Sequence, residues 1–110
     1  MDIAGMMGEV KELQDKMQQA QKDIEYLTAT GEAGGGLVQA TANGHRRVLK
    51  IEIDPSLFTP EDREMLPDLM VAAVNNALDK AAELGTDELK RRTSGLMPNI
   101  PGLDLGNFGA

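Results

Sequence analysis

The residues of this chain best suited to act on a partner are basic, and they are grouped. Arg46, Arg47 and Lys50 form one cluster, and Lys90, Arg91 and Arg92 form a second. Guanidinium and ammonium groups at this spacing neutralise phosphates and release the counterions condensed on a nucleic acid. The same clusters also have a structural reading. A charge on a strand blunts its edge, and cations complement the negative end of a helix. Spacing alone leaves both readings open. No aromatic residue is interleaved with either cluster, which argues against stacking on unpaired bases. The formal net charge is −7 over 110 residues. Binding to DNA therefore requires the basic residues to be gathered on one surface, away from the acids.

Other candidate chemistry is thin. The glycine-rich stretch Gly31–Gly36 lacks the Lys-Ser/Thr of a phosphate loop and leads into a strand, so it reads as a connector. His45 is the only histidine. It flanks a turn with no marked nucleophile nearby and reads as a solvated turn residue. Glu61, Asp62, Glu64 and Asp68 match no ion-binding loop, and acids are favoured at a helix start in any case. There is no cysteine, which removes disulfides, iron–sulfur clusters and thiolate zinc sites. No acid, base, nucleophile or metal set converges, so an enzyme is not expected, and neither are a cofactor, a metal or a small-molecule substrate.

The elements that must position the basic residues follow from periodicity. Ile3, Met6, Val10, Leu13, Met17, Ala20, Ile24 and Leu27 alternate at spacings of three and four. This is the a/d seam of a heptad helix. Over that span the helix would be about 40 Å long, too long for one small protomer to cover. The seam residues Ile3, Met6, Val10, Leu13, Met17, Ile24 and Leu27 therefore need a partner helix, from this chain or another. After the glycines, two strand-like runs flank Asn43-Gly44, the signal for a type I′ hairpin. That register places Ala42 opposite His45, Ala40 opposite Arg47 and Val38 opposite Leu49. Val38, Ala40, Leu49, Ile51 and Ile53 then share one face. Leu37, Gln39, Thr41, Arg46, Val48, Lys50 and Glu52 share the other. Thr28–Glu32 can add a third strand.

Asp54-Pro55-Ser56 ends the sheet. Thr59 followed by Pro60, Glu61 and Asp62 predicts the start of a helix, with Pro67 kinking or restarting it. An apolar stripe from Leu66 to Leu84 continues it. The fold class is thus α+β, an α-β-β-β-α protomer over residues 1–93. From 94 to 110, Pro98, Pro101 and several glycines predict a flexible tail. The longest apolar run, Met70–Val74, is too short to span a membrane, and Ile3–Met7 is too short and interrupted for a signal core. A cytoplasmic protein with no membrane partner is expected.

In order along the chain, several pieces are similar to the YbaB/EbfC nucleoid-associated proteins. They are Leu13-Gln14-Asp15-Lys16-Met17-Gln18-Gln19-Ala20-Gln21, Thr30-Gly31-Glu32-Ala33-Gly34-Gly35-Gly36-Leu37-Val38 and Asn43-Gly44. Next come Ile51-Glu52-Ile53-Asp54-Pro55-Ser56-Leu57, Glu64-Met65-Leu66-Pro67-Asp68-Leu69 and Ala72-Ala73-Val74-Asn75-Asn76-Ala77, with Ser94-Gly95-Leu96-Met97-Pro98 closing the series. The resemblance implies a homodimer joined largely through the sheets, with helices projecting as two arms. It also implies binding to double-stranded DNA with little sequence specificity in the bacterial nucleoid, altering DNA conformation and gene expression. Arg46, Arg47, Lys50, Lys90, Arg91 and Arg92 are the candidate DNA contacts. The competing expectation is a protein-interaction module, such as a prefoldin-like chaperone without DNA binding, which the acidic charge suits better.

Overall fold

A computed structural model describes residues 2–94. Helix α1 runs Ile3–Asp23 and continues as one 3-10 turn, Ile24–Tyr26. Strands β1 (Thr28–Ala33), β2 (Val38–Asn43) and β3 (Val48–Ile53) form an antiparallel sheet in the order β1-β2-β3. A short 3-10 turn, Pro55–Leu57, leads to helix α2, Met65–Thr93. The α-β-β-β-α order and the α+β class match the expectation from sequence.

Helix α2 lies across one face of the sheet, over β1 and β2. The contact is built from small side chains. Ala73, Ala77 and Ala81, one turn apart, are fully buried against Val38, Ala40 and Ala42. This lets the helix backbone approach the sheet closely. A Cβ on Gly31 of β1 would lie 2.2 Å from Ala77 N and 2.5 Å from Ala73 O, so glycine is required there by space. Leu57 closes the end of this core. Along β1, Asn76 Nδ2 donates to Glu32 O at 3.0 Å and Lys80 Nζ donates to Thr30 O at 3.4 Å, which caps outward carbonyls of that edge. At the other edge Val48, Leu49 and Ile51 of β3 remain exposed.

Only the second half of the expected connector serves as one, with Gly34, Gly35 and Gly36 at positive φ in the bend between β1 and β2, while Gly31, Glu32 and Ala33 are paired within β1. The second hairpin differs from the expectation. Val38 pairs with Ile53 rather than Leu49, Ala40 with Ile51 rather than Arg47, and Ala42 with Val48 rather than His45. The turn is the longer loop Gly44-His45-Arg46. Arg46 N donates to Asn43 O and Asn43 N donates to Arg47 O, both at 2.9 Å. This is a type I turn closed by a left-handed residue, and that residue is Arg46, at φ 61°, not Gly44. Asn43 Oδ1 stabilises the loop by accepting from His45 N and Arg47 N. Gly44 is needed for a different reason: its Cβ would sit 2.4 Å from Ile24 O. A bulge between Thr41 and Ala42 also moves Val48 opposite Ala42, off the polar face assigned to it from sequence.

Two helix expectations are corrected as well. Regular helix α2 begins at Met65, not at Thr59. Thr59 and Asp62 instead close a turn of their own, with Thr59 Oγ1 donating to Asp62 Oδ2 at 2.9 Å and Asp62 N donating back to Thr59 Oγ1 at 3.3 Å. Pro67 then falls in the first turn of α2, where a missing N–H costs nothing. It marks the restart rather than a kink. Regular α1 ends at Asp23, so it spans 21 residues and about 32 Å. Ile24 and Leu27 of the expected seam lie beyond it, in the 3-10 turn and its cap. Of that seam, Ile24 is buried, Leu13, Met17 and Leu27 are half-buried, and Ile3, Met6 and Val10 are exposed. Apart from Ser94, the expected tail lies outside the described residues.

Candidate nucleic-acid interface

The last turn of α1 is where the molecule's separate parts meet. Ala20 and Ile24 are buried there, and Gly44 N donates to Ile24 O at 3.1 Å and to Leu27 O at 3.0 Å. Gly85 of α2 packs on the other side, close enough that a Cβ on it would touch Gly44 O and Ile24 Cδ1. The hairpin tip reaches α1 through His45, whose Nε2 donates to the carbonyl of Gln21. The end of α2 reaches α1 through Arg92, whose guanidinium donates to Asp23. The hairpin tip that carries Arg46 and Arg47 and the end of α2, far apart in sequence, therefore both reach the last turn of α1, one through His45 at Gln21 and the other through Arg92 at Asp23.

Lys22 stands between these two contacts, in the last turn of α1. Sequence reasoning passed over it because the heptad pattern drew attention to the apolar positions. The signal was present, since a cation at the end of a helix is placed where the macrodipole is negative.

The basic residues differ in how their charge is used. Arg46 and Arg47 are exposed at the hairpin tip, outside β3, so the alternation that assigned them to opposite sheet faces does not apply. Together with Lys22 and Lys90 they stand outside the ion pairs formed among the described residues. Lys50 lies on the uncovered sheet face, opposite Thr41, with Nζ 3.0 Å from Glu52 Oε1. It belongs to a different surface. Arg91 and Arg92 share Glu88: Arg91 donates to Glu88 Oε2 at 2.6 Å and Arg92 Nε donates to Oε1 at 2.8 Å.

This network shifts its members in the direction that favours charge. Hydrogen bonds from Arg92, then from Gln19, hold the Asp23 carboxyl below its ordinary range. Those from Arg91 and Arg92 do the same for Glu88. Arg92 is pushed up by Asp23 first and Glu88 second. Its role is partly structural, because it ties the arm to the body.

Among the described residues no group of three or more His, Asp or Glu gathers to hold a metal ion. No helix there is long and apolar enough to cross a membrane. Arg46 and Arg47, exposed on the hairpin tip beside the His45–Gln21 contact, are the members of the two clusters left both exposed and outside these ion pairs.

The α-β-β-β-α order, with α2 packed over one face of a three-stranded antiparallel sheet, defines an α+β fold class. The chain belongs to the YbaB/EbfC DNA-binding family, whose family model matches residues 1–96. This is a family of DNA-binding proteins, not of enzymes. A nucleoid-associated protein of Chlorobium phaeobacteroides (strain BS1) is 48% identical over 104 residues, covering 94% of this chain and 92% of its own. One of Rhizobium meliloti is 44% identical over 104 residues, covering 94% and 96%. Among solved structures, an uncharacterized protein from Helicobacter pylori shares the fold, with a TM-score of 0.65 and 24% identity over 79% of this chain and 91% of that one.

Proposed function

We propose that the protein binds duplex DNA as a homodimer, with little sequence selectivity, in the nucleoid within a bacterial cytoplasm, and alters DNA conformation there. The observation that carries this reading is the match of residues 1–96 to a DNA-binding family, in a chain that leaves Arg46 and Arg47 exposed on a hairpin tip tied to α1 through His45. Loosely placed cations on a loop and helix ends contact phosphates rather than base edges, which positions DNA without reading its sequence.

Assembly into a homodimer is supported by what the protomer leaves uncovered. Ile3, Met6, Met7 and Val10 of α1 are 67%, 55%, 68% and 55% exposed, and β3 adds Val48, Leu49 and Ile51 at an open sheet edge. An apolar area of this kind marks a contact surface. In this reading residues 1–93 act as one unit, and pairing two copies duplicates the exposed basic hairpin tip so that a single duplex meets two of them.

The test is fluorescence anisotropy with unrelated duplexes of equal length over a salt series, beside a mass measurement in solution. Similar affinities, falling linearly on a log–log plot with salt, are expected. Binding that ignores salt, or no binding at low salt, overturns the reading. The bare methionine-containing face of α1 favours a second reading, a holdase of the prefoldin kind. Suppression of client aggregation without DNA binding would establish it. Against it, α2 spends its own stripe on the sheet and leaves α1 without a parallel arm.

A further inference from the structure

Arg91 and Arg92 do not present free charge. Glu88 lies between them with its side chain only 13% exposed, whereas that of Arg91 is 74% exposed. The carboxylate is covered by the two guanidiniums that it binds, much as a phosphate would be. Asp23 takes a further position on Arg92. Two arginines and two carboxylates cancel, so within the second basic cluster only Lys90 stands outside an ion pair. A phosphate approaching it must displace Glu88 from one or both guanidiniums, or bind without their charge.

We infer that Glu88 is a built-in competitor for DNA phosphate, an intramolecular anion that lowers affinity and salt sensitivity by occupying Arg91 and Arg92 in the free protein. The inference rests on the DNA-binding reading above and adds a quantity to it. The number of phosphates neutralised is set by the balance between Glu88 and the backbone of the duplex. The same contact gives DNA a handle on the arm. When phosphate draws Arg92 away, the Asp23–Arg92 link between α1 and α2 weakens, leaving the last turn of α1 held by Ile24, Gly44 and the His45–Gln21 contact.

The decisive experiment compares Glu88→Gln with the wild-type full chain in the salt-titrated anisotropy assay. Glutamine keeps the shape and an accepting oxygen but removes the charge. Affinity at about 0.1 M salt should rise roughly threefold to tenfold, and the log–log salt slope should steepen by about one. Glu61→Gln is the control. It changes net charge equally but lies in the turn before α2, separated from Glu88 by about 35 Å of helix, several Debye lengths at that salt. Its affinity should match the wild type. Unchanged affinity and slope in Glu88→Gln, with a wild type that binds, overturns the inference while leaving the DNA reading intact. So does an equal rise in Glu61→Gln, which would make the effect one of net charge alone. A wild type that fails to bind at all overturns the DNA reading and this inference with it. Should Glu88→Gln not fold, the side-chain Nε–H resonances of Arg91 and Arg92 in the wild type carry the test. They must shift as duplex is titrated in, and resonances that stay put at saturation overturn the proposal.

Discussion

The body and the arm of this protomer bury apolar surface by opposite means. In the body, alanines on α2 face Gly31 of β1 and small residues of β2, so the backbones themselves are in near contact. In the arm, larger side chains (Ile3, Met6, Met7 and Val10) follow one another along α1 and touch almost nothing in their own chain. A stripe of small residues is complete within one protomer because little volume has to be filled. A stripe of large residues on a projecting helix is an unmet demand, and only another helix or sheet can satisfy it. The difference indicates which half of the molecule folds by itself and which half is finished by assembly.

Substitutions sharpen this contrast, and the largest effect belongs to the body. Gly31→Ala places a Cβ against the backbone of Ala73 and Ala77, which cannot turn aside as a side chain would. Loss of about 3 kcal/mol or more is expected, at the upper end of the overpacking range, read as a lower midpoint in urea unfolding. Near-wild-type stability would mean that α2 can move off the sheet, and the body would then be as adaptable as the arm.

Leu13→Asp tests the arm. Leu13 is half-buried within the protomer, so the single subunit should keep its secondary structure. A charge in a paired apolar seam is costly, so the mass in solution should fall from that of two copies to one. An unchanged mass would show that the copies meet only through β3, and that α1 remains bare in the assembly.

The basic clusters repeat the contrast in electrostatic form, with a smaller effect. Arg46 and Arg47 are free at the hairpin tip, whereas Arg91 and Arg92 are held by carboxylates. Replacing Arg46 and Arg47 with Ala should weaken binding to every duplex tested and flatten the salt slope by about two. Replacing Lys90, Arg91 and Arg92 with Ala should also weaken binding, but by less per cation removed. Salt-titrated anisotropy measures both. Equal losses per charge would erase the distinction between free and occupied arginines.

Much of this was legible from the residues, and the exceptions share a cause. The helix–sheet–helix order followed from the heptad spacing and the turn residues. The two basic clusters followed from composition alone. The hairpin register did not, because Asn43-Gly44 has two possible explanations. As an isolated pair it signals a type I′ turn. In the fold, Gly44 is glycine because α1 passes against it, and the left-handed position falls to Arg46. The start of α2 was misplaced for a similar reason: Thr59 and Asp62 cap a turn that ends before the helix proper. Lys22 carries a local signal, a cation at the negative end of a helix, but not its surroundings. Nothing local reveals that a hairpin tip and the end of a second helix will lie on either side of it.

The smallest effect concerns the junction of arm and body. Asp23 and Glu88 titrate below their ordinary values of 3.8 and 4.5 in the folded chain. At acid pH the unfolded state therefore binds more protons than the folded one, so their contribution is present above the unfolded values and is lost as pH falls through the folded ones. Their arginine partners stay in contact with solvent, Arg91 at 74% and Arg92 at 37% exposure, so screening keeps the contribution small. Hydrogen exchange at the Gly44 amide, which donates to Ile24 and Leu27, reports on the junction. After correction for intrinsic exchange, its protection should be level from pH 7 to 5 and fall below about pH 4. In Asp23→Asn protection should be lower at neutral pH and depend less on acid, so that the two chains converge at the acid end. Parallel pH curves for the two proteins would show that Asp23 does not fasten the arm, leaving the packing of Ile24 against Gly44 and Gly85 as its attachment.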